Sequence, residues 1–71
     1  MNEKSHAPVN LGQTICEARR QRGWSQATLG EHAGVSRPTI ARVESGSDVS
    51  TATLAKVMAA LGLTLKVEPA P

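Results

Sequence analysis

Apolar residues recur along most of the chain at spacings of three and four, which is the period of one face of an α-helix. The fullest stripe comes late in the sequence and consists of Leu54, Val57, Met58 and Leu61. A shorter stripe begins at Leu11, and Ile40 and Val43 form another. The pattern therefore predicts an all-α bundle of four to five short helices.

Short polar residues and glycines mark the expected helix ends. The expected N-caps carry a side-chain oxygen that can accept hydrogen bonds from first-turn N–H groups, and they are Asn10, Ser25, Ser36 and either Ser50 or Thr51. Gly23, Gly34 and Gly62 stand where the first, second and fourth helices should end. Pro38 falls in the first turn of the third helix, where proline is tolerated.

The two ends of the chain lack helical periodicity. Residues 1–9 are polar, and we expect them to form a flexible arm. After the helical domain of residues 10–62, apolar and polar residues alternate over 63–67, which is typical of a β-strand. Residues 63–71 are therefore interpreted as a dimerisation strand and tail.

This C-terminal strand has no visible partner within the chain, so its expected partner is the same segment of a second copy, paired across a twofold axis. The residues expected to be buried in that dimer are Leu61, Leu63, Leu65 and Val67. A chain of 71 residues buries only a small core, and dimerisation would enlarge it. The alternative is a disordered tail with dimerisation through the fourth helix alone.

Composition narrows the functional classes. Cys16 is the only cysteine, so no intrachain disulfide forms, which fits a reducing cytoplasm as the expected location. Neither a signal peptide nor a membrane-spanning run is visible. Cys16, His6 and His32 lack metal-ligand spacing, and no nucleophile motif or phosphate loop is present. We therefore expect no metal, no cofactor and no enzymatic activity.

The formal net charge of +2 is small, but the basic residues are concentrated in one half of the chain. Between positions 15 and 42, the arginines are Arg19, Arg20, Arg22, Arg37 and Arg42, against the acids Glu17 and Glu31. Such a concentration is the electrostatic footprint of a phosphate-binding face, although a solvated helix face has the same composition.

The second and third predicted helices are joined by only Ala33-Gly34-Val35-Ser36. Gly34 permits the positive φ that a tight turn between helices usually needs. Val35 and Ile40 can pack inward and fix the angle between the two helices. The third helix then projects from the domain in a form that fits the major groove of B-DNA.

Several spaced positions match one pattern together: Gly23-Trp24-Ser25-Gln26, Leu29, Ala33-Gly34-Val35-Ser36, Thr39-Ile40 and Val43-Glu44-Ser45-Gly46. The pattern resembles the Cro/CI-type (XRE) helix-turn-helix family from about Leu11 to Leu61. This resemblance implies a lambda-repressor-like bundle that binds DNA. Two residues depart from it: Gly30, which loosens the second helix by roughly 0.5–1 kcal/mol relative to alanine, and Pro38, which limits the bases that its position can read.

A narrower resemblance covers a similar length. Gly23-Trp24-Ser25-Gln26, the loop at Asp48, the Ser50–Leu61 helix and the strand from Leu63 to Val67 are together similar to HipB-type antitoxins. That resemblance implies a repressor of its own operon that binds a kinase-like toxin of the HipA type.

The candidate DNA-binding residues are Gln26, Ser36, Arg37, Pro38, Thr39, Ala41, Arg42 and Arg19. Arg42 is the leading candidate for base readout, since bidentate Arg–guanine pairing is the commonest specific contact, and Arg37 reads a base or binds a phosphate. The family resemblance implies a phosphate contact for Gln26 and a structural ion pair between Arg19 and Glu44. The alternatives are that Gln26 is an ordinary first-turn polar residue and that Arg19 and Glu44 are two independent surface charges.

These observations favour a dimeric repressor that binds a palindromic operator in double-stranded DNA, and within that class an antitoxin. A stand-alone or phage-type repressor has the same DNA chemistry without a toxin partner. A protein-interaction adaptor would use the helical scaffold without binding DNA.

Overall fold

The computed structural model describes residues 10–64, and within that range the chain forms four helices and no strand. The helices are α1 (Leu11–Gln21), α2 (Gln26–Ala33), α3 (Arg37–Ser45) and α4 (Thr51–Ala60). The predicted all-α bundle is confirmed. The predicted arm of residues 1–9 lies outside the described residues, as does most of the predicted strand.

Each helix begins at a capped N-terminus. The Asn10 side chain accepts a hydrogen bond from the Gln13 backbone N–H at 3.0 Å. Three serines cap the other helices in the same way, each accepting from the backbone N–H three residues later: Ser25, Ser36 and Ser50. Such a cap stabilises a helix by about 1 kcal/mol. The predicted caps are confirmed, with Ser50 and not Thr51 opening α4.

One fully buried side chain from each helix forms the centre of the core: Ile15, Leu29, Ile40 and Val57. Four further buried residues surround it: Ala33, Val43, Met58 and Leu61. All eight are aliphatic or methionine, as the scarcity of aromatic residues requires. The core therefore contains side chains from all four helices.

The C-terminal end of α4 turns back onto its own chain. Leu61 is only 4% exposed and belongs to the core of a single chain. The Leu63 backbone N–H donates to the Met58 carbonyl at 2.9 Å, and the Leu63 side chain packs half-buried against the core. Leu65 and Val67, the other two predicted dimerisation residues, lie outside the described residues.

None of the described helices is long and apolar enough to cross a lipid bilayer.

Candidate nucleic-acid interface

A tight turn joins α2 to α3. Gly34 adopts the left-handed conformation with φ of 74°, and the Val35 backbone N–H donates to the Gly30 carbonyl at 2.9 Å. Ser36 then caps α3. Because Ala33 and Ile40 are buried on either side of this turn, α3 is held at a fixed angle to α2.

Gly30 is needed at the start of this turn. A Cβ atom at Gly30 would lie 2.7 Å from the Val35 carbonyl oxygen, which is closer than real Cβ contacts allow. The sequence identified this glycine only as a residue that loosens α2. In the structure it lets the backbone after α2 fold back against the helix.

The outer face of α3 is open to solvent. Arg37, Pro38 and Arg42 are exposed on it, and Ala41 is half-exposed between them. Pro38 occupies the first turn, so its missing N–H breaks no helical hydrogen bond. The helix therefore presents two guanidinium groups and two small apolar groups on one continuous surface.

Ser36 and Thr39 hydrogen-bond to each other at the start of α3. The Thr39 backbone N–H donates to Ser36 Oγ at 3.2 Å, and the two hydroxyl oxygens lie 2.8 Å apart. Thr39 is half-buried, while Ser36 is exposed. Both residues thus fix the N-terminus of the helix whose positive dipole end favours an anion.

The guanidinium of Arg42 folds back toward the end of its own helix. Its Nη2 donates to the Asp48 carbonyl at 3.0 Å, on an exposed surface. Sequence reasoning missed this contact, because it joins a long side chain to a loop whose path depends on tertiary structure. An exposed hydrogen bond of this kind is weak enough for Arg42 to exchange it for another acceptor.

Arg19 and Glu44 form a bidentate ion pair between α1 and α3. Arg19 Nε lies 2.6 Å from Glu44 Oε2, and Arg19 Nη2 lies 3.0 Å from Glu44 Oε1. Arg19 Nη1 also donates to the Trp24 carbonyl at 2.8 Å. Arg19 is 8% exposed, so the pair expected from the family resemblance is present and this arginine has a structural position.

The Arg19–Glu44 pair also reaches Gln26, at the first position of α2. Gln26 Nε2 donates to Glu44 Oε1 at 3.2 Å, and the Gln26 side chain is half-buried. Nothing in the sequence connects Gln26 with the Arg19–Glu44 ion pair. Their 18-residue separation carries no helical spacing that would have connected them.

Burial alone would raise the pKa of Glu44, but hydrogen bonds donated by Arg19 and Gln26 outweigh it and hold that pKa below its usual range. The hydrogen bond to Glu44 raises the pKa of Arg19 in turn. Both groups are therefore charged at neutral pH. Such a pair holds the two helices at a defined distance, and removal of one partner leaves a partly buried charge without compensation.

Trp24 is half-buried between Arg22 and His32. Its ring stacks on the His32 imidazole with centroids 4.1 Å apart and an interplanar angle of 4°, and the Arg22 guanidinium carbon lies 5.0 Å from the ring centroid. Arg22 Nη2 also donates to the Leu61 carbonyl at 3.0 Å. Trp24 therefore has two polar partners, and the spacing of the three residues along the sequence does not indicate these contacts.

The matching family model is described as helix-turn-helix and covers residues 16–67 of this chain. An uncharacterised HTH-type transcriptional regulator of Haemophilus influenzae is 39% identical over 93% of this chain and 68% of its own length. The antitoxin HipB of Escherichia coli K12 is 30% identical over 89% of this chain and 73% of its own length. The chain therefore belongs to the XRE-type helix-turn-helix family. It is a helix-turn-helix transcription regulator.

Two solved structures have the same fold. The restriction-modification controller protein C.AhdI from Aeromonas hydrophila matches with a TM-score of 0.71 and 35% identity, over 79% of this chain and 86% of that one. A chain of the HipA-HipB-O2-O3 complex matches with a TM-score of 0.78 and 25% identity, over 93% of this chain and 94% of that one. The same fold therefore occurs in a restriction-modification controller protein and in a chain of the HipA-HipB-O2-O3 complex.

Proposed function

We propose that the protein is a dimeric transcriptional repressor that places α3 in the major groove of a palindromic operator. The single observation that carries the proposal is the exposed face of α3, which carries Arg37 and Arg42, while the opposite face is anchored by Ile40 and Val43. An α-helix fits the major groove, and arginine pairs with guanine there. In a dimer the two copies of α3 would lie about one helical turn apart, ~34 Å.

The proposed DNA contacts fall into two groups, those to bases and those to phosphates. Arg42 and Arg37 are proposed to reach base edges, and Pro38 and Ala41 to touch thymine methyl groups. Gln26, Ser36 and Thr39 lie at the N-termini of α2 and α3, where backbone N–H groups favour phosphate. Arg19 is left out of this proposed set, because its guanidinium is buried against Glu44.

Within this class, the proposed role is that of an antitoxin which represses its own operon and binds a HipA-like kinase toxin. The support is similarity to HipB over 89% of this chain, together with the fold shared with a chain of the HipA-HipB-O2-O3 complex.

The second candidate is a stand-alone or phage-type regulator without a toxin. The observation that favours it is the 35% identity to C.AhdI, a restriction-modification controller protein. Both candidates use the same DNA face, so DNA binding alone does not separate them.

The DNA-binding proposal is tested by footprinting on the DNA upstream of the protein's own reading frame, with a random duplex as control. We expect protection of two half-sites and an affinity that falls steeply as salt rises. An adaptor that uses the scaffold only for protein contacts would protect no site and bind the random duplex at no salt concentration.

The antitoxin proposal is tested by co-expression with each adjacent reading frame. A kinase-like neighbour that co-purifies with the tagged protein at a fixed ratio supports it. Absence of such a neighbour, or its failure to co-purify, favours the stand-alone regulator.

The dimer proposal concerns Leu63, Leu65 and Val67, because Leu61 is already buried within the core of one chain. Truncation after Gly62 should leave a folded domain that sediments as a monomer at low micromolar concentration and binds its operator much more weakly. A truncated chain that stays dimeric would favour dimerisation through α4 alone.

A further inference from the structure

Gln26 belongs to the N-terminus of α2, a proposed phosphate site, and its side chain also contacts the Arg19–Glu44 ion pair. Its backbone opens α2 directly after the N-cap Ser25, at a helix end that favours phosphate. Its carboxamide nitrogen donates to Glu44 Oε1 at 3.2 Å, which links the first residue of α2 to the last turn of α3. The same Glu44 is fixed from the other side by two hydrogen bonds from Arg19.

The chemistry of this contact sets the orientation of the carboxamide. An ionised carboxylate accepts hydrogen bonds and donates none, so the nitrogen of Gln26, and not its oxygen, must face Glu44. The pKa of Glu44 is held below its usual range by its hydrogen bonds, despite the opposing effect of burial, so the carboxylate is ionised at neutral pH. One N–H of the amide is thereby engaged, and the second stays on the same nitrogen as a donor.

A DNA phosphate also accepts and cannot donate. Before DNA binds, a freely rotating carboxamide turns its oxygen outward as often as its nitrogen, and only the nitrogen can donate to a phosphate. An amide held by Glu44 presents its nitrogen in both directions. The orientation is set before DNA arrives, so less conformational freedom is lost on binding.

We infer that Glu44 is a positioning residue for DNA binding, which holds the Gln26 carboxamide as a donor for a backbone phosphate and is itself held in place by Arg19. This inference rests on the proposed function. It gives Glu44, a residue that touches no DNA in this scheme, a measurable part in affinity that is separate from its part in stability.

The chain contains a matched control. Gln13 Nε2 donates to Glu17 Oε2 at 3.3 Å on the exposed surface of α1. This pair has the same two functional groups and a similar distance, but both residues lie on α1 and the contact joins no second helix. It reports what loss of a glutamine–carboxylate contact does by itself.

The test is a double-mutant cycle on operator affinity with Gln26→Ala and Glu44→Gln, at a temperature where circular dichroism shows every variant folded. The Glu44→Gln side chain keeps its shape but can offer Gln26 either a donor or an acceptor. Gln26→Ala should weaken binding about tenfold in the wild-type background, as expected for loss of one hydrogen bond. In the Glu44→Gln background its effect should fall to about twofold or less.

The cycle with Gln13→Ala and Glu17→Gln should show no change in DNA affinity and no coupling. An equal effect of Gln26→Ala in both Glu44 backgrounds would overturn the inference while leaving DNA binding intact. Failure of the wild type to bind any duplex would remove the proposed function, and this inference with it.

A second measurement uses only the wild-type protein and does not depend on whether Glu44→Gln folds. Side-chain amide signals of Gln26 and Gln13 are followed by NMR as operator DNA is added. The Gln26 amide hydrogens should exchange slowly with solvent before DNA is added and shift on binding, whereas those of Gln13 should do neither. Identical behaviour of the two amides would contradict the positioning role.

Discussion

Gly12, near the start of α1, lies directly against the backbone at the end of α3. A Cβ atom on Gly12 would be 2.6 Å from the Glu44 carbonyl oxygen and 2.7 Å from that of Val43. Gly12 is buried, and no side chain other than hydrogen fits between the two helices at this point. The close approach puts Arg19, two turns further along α1, within reach of the Glu44 carboxylate.

Gly12→Ala should therefore destabilise the fold, although alanine is the better helix former. Helix propensity favours alanine by about 1 kcal/mol, whereas overpacking against a backbone costs typically 1–3 kcal/mol. We expect a net loss of up to about 2 kcal/mol in the free energy of unfolding, measured by urea denaturation. Glu17→Ala, on the exposed side of the same helix, is the control and should stay within about 0.5 kcal/mol of wild type. A gain in stability for Gly12→Ala would mean that α1 can move away from α3 at little cost.

Ile40→Ala should be among the most damaging substitutions in the chain. Ile40 is fully buried at the centre of the core, and such truncations cost about 2–5 kcal/mol. Since a small domain is only marginally stable, the variant should show a greatly lowered melting temperature. Exposed Glu31→Ala provides the comparison. A melt for Ile40→Ala within a degree or two of wild type would be incompatible with the core described above.

Acid should weaken the fold through Glu44. Its pKa is lowered in the folded state, so its contribution to stability is fully present above its ordinary pKa of about 4.3 and is lost as the pH falls through the folded value. The free energy of unfolding should fall more steeply below about pH 4.5 for wild type than for Glu44→Gln, which has no carboxylate to protonate. Glu17→Gln also removes one negative charge, from the exposed surface of α1, and serves as the control. Parallel curves for wild type and Glu44→Gln would show that the ion pair adds nothing to stability.

Arg42→Ala should change recognition of DNA far more than stability. The substitution removes one exposed hydrogen bond, to the Asp48 carbonyl, and should leave the melting temperature nearly unchanged. On the operator it should cost roughly 1–3 kcal/mol and relax base preference at one position per half-site. Binding is compared on operator and scrambled duplexes. Equal losses on both would assign Arg42 to phosphate contact.

The features predicted correctly from the sequence are mostly those that depend on residues close together in the chain. Capping by Asn10 and Ser25 depends on a side chain and an N–H three residues away, so the pattern alone located it. The buried positions followed from helical period, as Ile40 and Val57 show. The Arg19–Glu44 pair came from family resemblance, because 25 residues separate its partners.

The contacts that escaped prediction are made by long side chains across elements. Arg42 meets the Asp48 carbonyl, and Trp24 stacks on His32, because of how a loop and a helix end are placed in three dimensions. No periodicity encodes such placement. The need for glycine at Gly30 was missed for the same reason, since the Val35 carbonyl that would meet a Cβ atom lies beyond the turn.

The central claim is that the exposed face of α3 reads DNA sequence. The most direct measurement is the ratio of dissociation constants for scrambled and upstream duplexes at one fixed salt concentration, for wild type and for Arg37→Ala/Arg42→Ala. Wild type should prefer the upstream duplex by about 10³-fold or more, and the double variant should keep salt-dependent binding to both duplexes while losing nearly all of that preference. An undiminished preference in the double variant would contradict the claim and place sequence readout elsewhere on the molecule.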